Sequence, residues 1–205
     1  MFSTSLITGF TTGAGLIACI GSQNAFVLRQ GLLRQHVGAV AFICILSDIL
    51  LIFAGISGLG VVVKSHPMVL EVVRYAGAAF LAYNAFLAAQ RAWRASEILN
   101  PAKQGVYSLK TAIVIALTYT WLNPHVYLDT VFLLGSISLN YGDAGKWQFG
   151  IGAMTASIVW FLAISYGAKI LLPLFRSYRA WQILDGGVAL LMGYFCFALL
   201  SGQLG

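Results

Sequence analysis

One aspartate constrains this chain more than any other residue. Asp48 lies in the run from Val37 to Val63, VGAVAFICILSDILLIFAGISGLGVVV, which holds no other charged residue. A helix needs about 20 apolar residues to cross a bilayer, so this run is long enough to span one. A charged side chain at that depth costs about 3 kcal/mol on insertion scales. An acid persists there when a water-filled cavity, a partner or a bound solute receives it. The chain is therefore expected to handle something polar inside a membrane.

The rest of the sequence agrees with that setting. Charged residues are 9% and hydrophobic ones 60% of the 205 residues, against about 25% and 45–50% in soluble domains. Six stretches are apolar enough to span: 5–28, 37–63, 68–90, 111–136, 148–172 and 183–201. They are continuously apolar rather than alternating, which disfavours a membrane barrel. The expected fold is an all-α membrane protein, one transmembrane domain over residues 1–205. MFSTSLITGF lacks a basic n-region, so the first stretch is expected to remain as a helix rather than act as a cleaved leader. Cys19, Cys44 and Cys196 fall inside apolar stretches and fit no metal spacing. No cofactor or metal is expected.

The net charge of +6 is not spread as a nucleic-acid surface would be. Arg29, Arg34, Arg91, Arg94, Lys103, Lys110, Lys169, Arg176 and Arg179 fall in the odd connections; Lys64, Arg74 and Lys146 fall in or beside the even ones. Basic residues concentrate on cytoplasmic loops. The odd connections are thus expected in the cytoplasm of a multi-pass inner-membrane protein, with both termini outside. Trp93, Trp147 and Trp181 sit near stretch ends as interfacial anchors do. Trp121 and Trp160 fall mid-membrane and are expected to line or brace a central cavity.

The hydrophilic connection at 91–110 divides the chain into halves of three helices, 5–90 and 111–201. Three is odd, so the halves enter from opposite sides, as in inverted-repeat transporters. Each half opens with an interrupted helix: Gly21-Ser22-Gln23-Asn24 in the first, Asn123-Pro124-His125 in the fourth. Asn123 before Pro124 reads as an N-cap followed by proline at the first helical position. A helix restarting there offers N–H groups and a positive dipole end to an anion such as a carboxylate. Ser22 is expected to cap the first break. His125 and Asp129, four residues apart, share a helical face and can share a proton. Asp48 and Asp129 are the acids well inside a stretch; Glu71, Asp143 and Asp185 lie near interfaces, where a solvated role suffices.

The stretch Gly21-Ser22-Gln23-Asn24-Ala25-Phe26-Val27-Leu28-Arg29-Gln30-Gly31 resembles the signature of the LysE family of amino-acid exporters, in its lysine/arginine branch. Ser47-Asp48 with Ala54-Gly55, the run from Thr120 to Asp129 (TWLNPHVYLD), and Tyr141-Gly142-Asp143 before Trp147 resemble the same branch in the same order. Where the family usually carries proline this chain has Ser22, which softens the first break. The resemblance implies export of arginine or lysine by proton antiport. A basic amino acid needs one receptor for its carboxylate and others for its two cations. On that reading Gln23, Asn24, Asp48, Trp121, Asn123, Pro124, Tyr127, Asp129 and Trp160 bind substrate, and Asp48, Asp129 and His125 couple protons. Partners would be the substrate, protons and the bilayer, with a homo-oligomer left open.

Alternatives are an exporter of neutral amino acids or of another small cationic solute, a membrane enzyme, and a structural subunit. No cysteine or histidine cluster accompanies the acids, which disfavours metal export. No convincing nucleophile accompanies His125 and Asp129. No Gly-x-x-x-x-Gly-Lys-Ser/Thr motif is present, so ATP is not the direct fuel. The charge split predicts that Ser96→Cys, in a background without other reactive thiols, escapes an impermeant reagent in intact cells and reacts after lysis. Labelling before lysis would reverse the orientation.

Overall fold

Where no water reaches the backbone, helices satisfy their own N–H and C=O groups, and the chain follows that rule. The computed structural model describes residues 2–18, 21–58, 67–93, 108–171, 173 and 177–201; among them every regular element is helical and none is a strand. The helices are α1 (Phe2–Ile17), α2 (Ser22–Leu33), α3 (Val37–Ile56), α4 (Pro67–Trp93), α5 (Leu109–Trp121), α6 (residues 124–138), α7 (Gly142–Leu171) and α8 (Tyr178–Leu200). Most of the 91–110 connection, and Cys19, lie outside the described residues.

Among the described residues, three helical stretches are long and apolar enough to cross a membrane: Val37–Ile56, His125–Ile170 and Arg179–Ala198. The pair α1 and α2, whose axes differ by 83°, makes a fourth if counted as one broken span. The stretch 68–90, expected to span, forms the 27-residue α4, but α4 is not among these stretches. The stretch His125–Ile170 has 46 residues and would be about 69 Å long as one straight helix at 1.5 Å per residue, more than twice a hydrocarbon core of about 30 Å. It does not run straight. A single 3-10 turn, Leu139–Tyr141, leads to Gly142 at φ 67°, ψ −179°, a conformation open essentially to glycine alone.

Several crossings bring backbones together without intervening side chains, that of α2 and α7 at Gly31 and Ser165 among them. At Gly9, Gly13 and Gly152, α1 meets α7 so closely that an added Cβ would collide with the backbone of Phe149, Ala153 and Leu6. At Gly55 and Gly135, α3 meets α6: a Cβ on Gly135 would lie 2.7 Å from the Gly55 carbonyl oxygen. Small residues permit such approach between helices whose outer faces meet lipid. Outward, Phe42, Phe53, Leu50, Ile151, Val159 and Leu190 are exposed apolar groups, as a lipid-facing surface requires. Inward, Val40, Cys44, Ala112, Ala116 and Phe161 pack α3, α5 and α7 together.

The packing predicts a contrast between glycines. Gly152→Leu should overpack the α1–α7 seam and cost at least about 1–3 kcal/mol, seen as loss of monodisperse protein or a lowered thermal midpoint in detergent. Gly193→Ala on α8, with open space around it, should be neutral or stabilising by up to about 1 kcal/mol.

Candidate functional site: a polar cavity where two broken helices meet

At the first break the chain pauses at Gly21 in extended conformation and restarts as α2 with no side-chain cap. Ser22 does not cap: it is the first helical residue, and its buried hydroxyl has no partner. The first intrahelical bond runs from the Ala25 N–H to the Gly21 carbonyl. Asn24 ties the two pieces together. Its Nδ2 donates to the Ile17 carbonyl at 2.8 Å, satisfying an acceptor at the end of α1. Trp160 Nε1 donates to Asn24 Oδ1 at 3.3 Å. Gln23 is buried, and its Nε2 has no protein partner.

The second break is built differently. Asn123 Oδ1 accepts from the His125 N–H at 3.1 Å, the side-chain capping expected of that residue. That bond takes the His125 N–H, and Pro124 carries none. Tyr127 donates its hydroxyl to the Trp121 carbonyl at 2.8 Å, bridging the break. His125 Nδ1 and Asp129 Oδ2 lie 2.9 Å apart, one turn along as the spacing predicts. The middle of α6, Leu128–Leu134, is π-helical, a local widening that recurs at functional sites.

Asp48 sits mid-helix on α3 and is 3% exposed. Its Oδ2 accepts from the Ser157 hydroxyl of α7 at 2.9 Å. Among the described residues no cation forms a salt bridge with it. The neighbouring Ser47 hydroxyl accepts from Trp121 Nε1 at 3.0 Å.

These elements enclose one cavity. Gln23, Asn24, Asp48, Asn123, His125 and Asp129 all line it, with Gly21, Thr130, Phe161 and Phe195 completing much of the wall. Both breaks and both mid-span acids thus converge on one space. Trp160, Trp121 and Tyr127 do not line it. Trp160 braces Asn24 from behind, and Trp121, 38% exposed, instead props the residue beside Asp48. Pro124 starts α6. The cavity volume is about 70 Å³, room for a few waters but well below the 300 Å³ or so of a small-molecule pocket. Among the described residues no group of three or more His, Cys, Asp or Glu is placed to hold a metal.

Sequence reasoning missed two partners. Ser157 has no local signal, lying among small residues 109 positions from Asp48. Asp185, expected in a solvated place, is 5% exposed and bonded to Arg91 at 3.0 Å. Asp143 does lie exposed, paired with Lys146.

A helical chain with membrane-spanning stretches and a buried polar cavity at paired helix breaks has the form of a translocator. The family model for LysE type translocators matches residues 14–203, and the chain belongs to that family. It is 33% identical to the lysine exporter LysE of Corynebacterium efficiens over 91% of this chain and 93% of that protein. It is 44% identical to proteins of Mycobacterium tuberculosis and Mycobacterium bovis provisionally described as amino-acid transporters, over 86% of this chain and 87% of each relative. No solved structure matches it.

The capping bond gives a measurable test. Asn123→Ala should cost about 1 kcal/mol, a fall of about 2–4 °C in the thermal midpoint for a chain of this size. Asn123→Ser, which keeps a capping oxygen, should recover most of it.

Proposed function

We propose that this chain exports a basic L-amino acid, arginine or lysine, across the cytoplasmic membrane in exchange for protons. The observation that carries the reading is the convergence of Asp48, Asp129, His125 and three amide side chains on one cavity at the meeting of two broken helices. The uncapped α2 terminus with Gln23 and Asn24 receives the carboxylate. Asp48 and Asp129 receive the α-ammonium and the side-chain cation. Neutral substrates would leave one acid without a counter-charge, which favours the basic class.

Energetics favours antiport. Moving one positive charge outward against an inside-negative potential costs about 2.3 kcal/mol per 100 mV. An inward proton cancels that charge and adds the pH gradient. Asp48, in the bilayer interior with a hydroxyl as its hydrogen-bond partner, is suited to trade a proton for a substrate cation. The His125–Asp129 pair gives a second exchangeable proton.

The same reading takes the chain as a single domain of six spans in two inverted three-helix repeats, residues 5–90 and 111–201. The breaks before α2 and α6 occupy matching places in the two halves. The turn at Gly142 supports a reversal between the fourth and fifth spans. The odd connections, with most of the basic residues, then face the cytoplasm.

In inside-out vesicles with an acidic lumen, labelled arginine or lysine should accumulate, and excess unlabelled basic but not neutral amino acid should compete. Competition by leucine with none by lysine would give the neutral alternative. Asp48→Asn keeps shape and hydrogen bonding without the titratable charge. It should fold and lose pH-driven accumulation at least tenfold, while exchange of labelled for unlabelled substrate partly survives. Wild-type accumulation by well-folded Asp48→Asn would shift the coupling role to Asp129.

A further inference from the structure

A second cavity lies on the other side of the first turn of α2. It is about 310 Å³, and its wall includes Ser22, Arg29, Asn84, Arg91, Trp181 and Asp185. The two cavities are separated by consecutive residues of one helix turn: Ser22 borders the second, Gln23 and Asn24 the first. Their charges are opposite. The first holds Asp48 and Asp129; the second holds two arginines and one aspartate. Their sizes differ too, and the second reaches the roughly 300 Å³ at which small-molecule pockets begin.

The polar groups of the second cavity are arranged rather than scattered. Asp185 is buried on α8, and its Oδ1 accepts from Arg91 Nε of α4 at 3.0 Å. That bond uses one of the five guanidinium donors, leaving the fork of terminal nitrogens that suits a carboxylate. The Arg29 guanidinium carbon lies 5.3 Å from the centroid of the Trp181 ring, an attraction that holds the cation at the cavity wall. Ser22 adds a buried hydroxyl with no partner. Two planar cations, one acid and an orphan hydroxyl form a receptor for a carboxylate with an ammonium beside it.

We infer that this cavity is a loading site for the zwitterionic end of an α-amino acid, with Arg29 and Arg91 receiving the carboxylate and Asp185 the α-ammonium. The ligand class rests on the amino-acid exporter reading; the carboxylate chemistry rests on the cavity itself. Arg29 and Arg91 belong to connections assigned to the cytoplasm, so loading precedes passage. The first turn of α2 is then the partition the substrate crosses, and a basic side chain would lead toward the acids of the first cavity.

Trp181 provides the readout. Purified protein in phosphatidylcholine nanodiscs would be titrated with L-arginine, L-lysine and agmatine, which is arginine without its carboxylate. The signal is the emission change of the native protein minus that of Trp181→Phe. A saturable change is expected with arginine and lysine, at least tenfold weaker with agmatine. It should survive in Asp48→Asn and weaken at least tenfold when Arg91→Gln and Asp185→Asn are combined. If that double variant fails to fold, Arg29→Gln carries the same expectation.

A change lost in Asp48→Asn but indifferent to the arginine variants would overturn the inference in favour of the first cavity alone. Equal response to agmatine would overturn the carboxylate assignment. A response saturated by anionic lipid and absent with amino acid would make it a headgroup site. A Trp181 response without vesicle transport would remove the exporter reading and keep the cavity; transport without a response would do the reverse.

Discussion

Breaking a helix inside hydrocarbon strands backbone groups that no water can satisfy, and each such group costs several kcal/mol. The chain meets that cost twice. At each break an asparagine side chain supplies part of the missing bonding, but from opposite directions. Asn24 reaches back as a donor to the carbonyl end of α1, whereas Asn123 reaches forward as an acceptor to the amide end of α6. The second break thereby uses one backbone donor, whereas at the first the buried Gln23 Nε2 has no protein partner. A polar space between them acquires a donor-rich side and, from Asp48 and Asp129, an acceptor-rich side. That polarity suits a solute carrying both a carboxylate and cations.

The buried acid is tolerable for a related reason. Asp48 has one hydroxyl partner, Ser157, and borders the cavity. An ion pair at this position would hold it charged and fixed. A single neutral donor leaves it available to a proton or to a passing cation. The contrast is Asp185, whose arginine partner keeps it in one role at the edge of a different space. Two buried aspartates in one small protein thus do separate work because their neighbours differ in charge.

Much of this was legible in the sequence because it was local. Asp48 announced itself by isolation in an apolar run, the two breaks by glycine, proline and amides, and the His125–Asp129 pair by its spacing of four. Six of the ten expected site residues line one cavity. What stayed hidden depends on which helices touch. Nothing near Ser157 marks it as the partner of a residue 109 positions away. Arg91 and Asp185 each look like an interfacial charge until α4 and α8 are seen side by side. Trp121 and Trp160 were expected to line or brace the cavity, but their direction is set by Ser47 and Asn24, and neither lines it. Ser22 looked like a cap, yet the helix begins one residue earlier than that role requires.

The contact between Gly55 and Gly135 also bears on how such a molecule can move. Asp48 lies on α3 two turns before Gly55, and Asp129 lies on α6 under two turns before Gly135. Backbones in direct contact have no compressible side-chain layer through which to slide. The two carboxylates are thereby carried on helices that cannot easily slide past one another. On the proposed reading, their spacing would act as a ruler for the distance between the two cations of a basic amino acid, and the parts that shift to let it in and out would be the ones attached elsewhere, the short α2 among them.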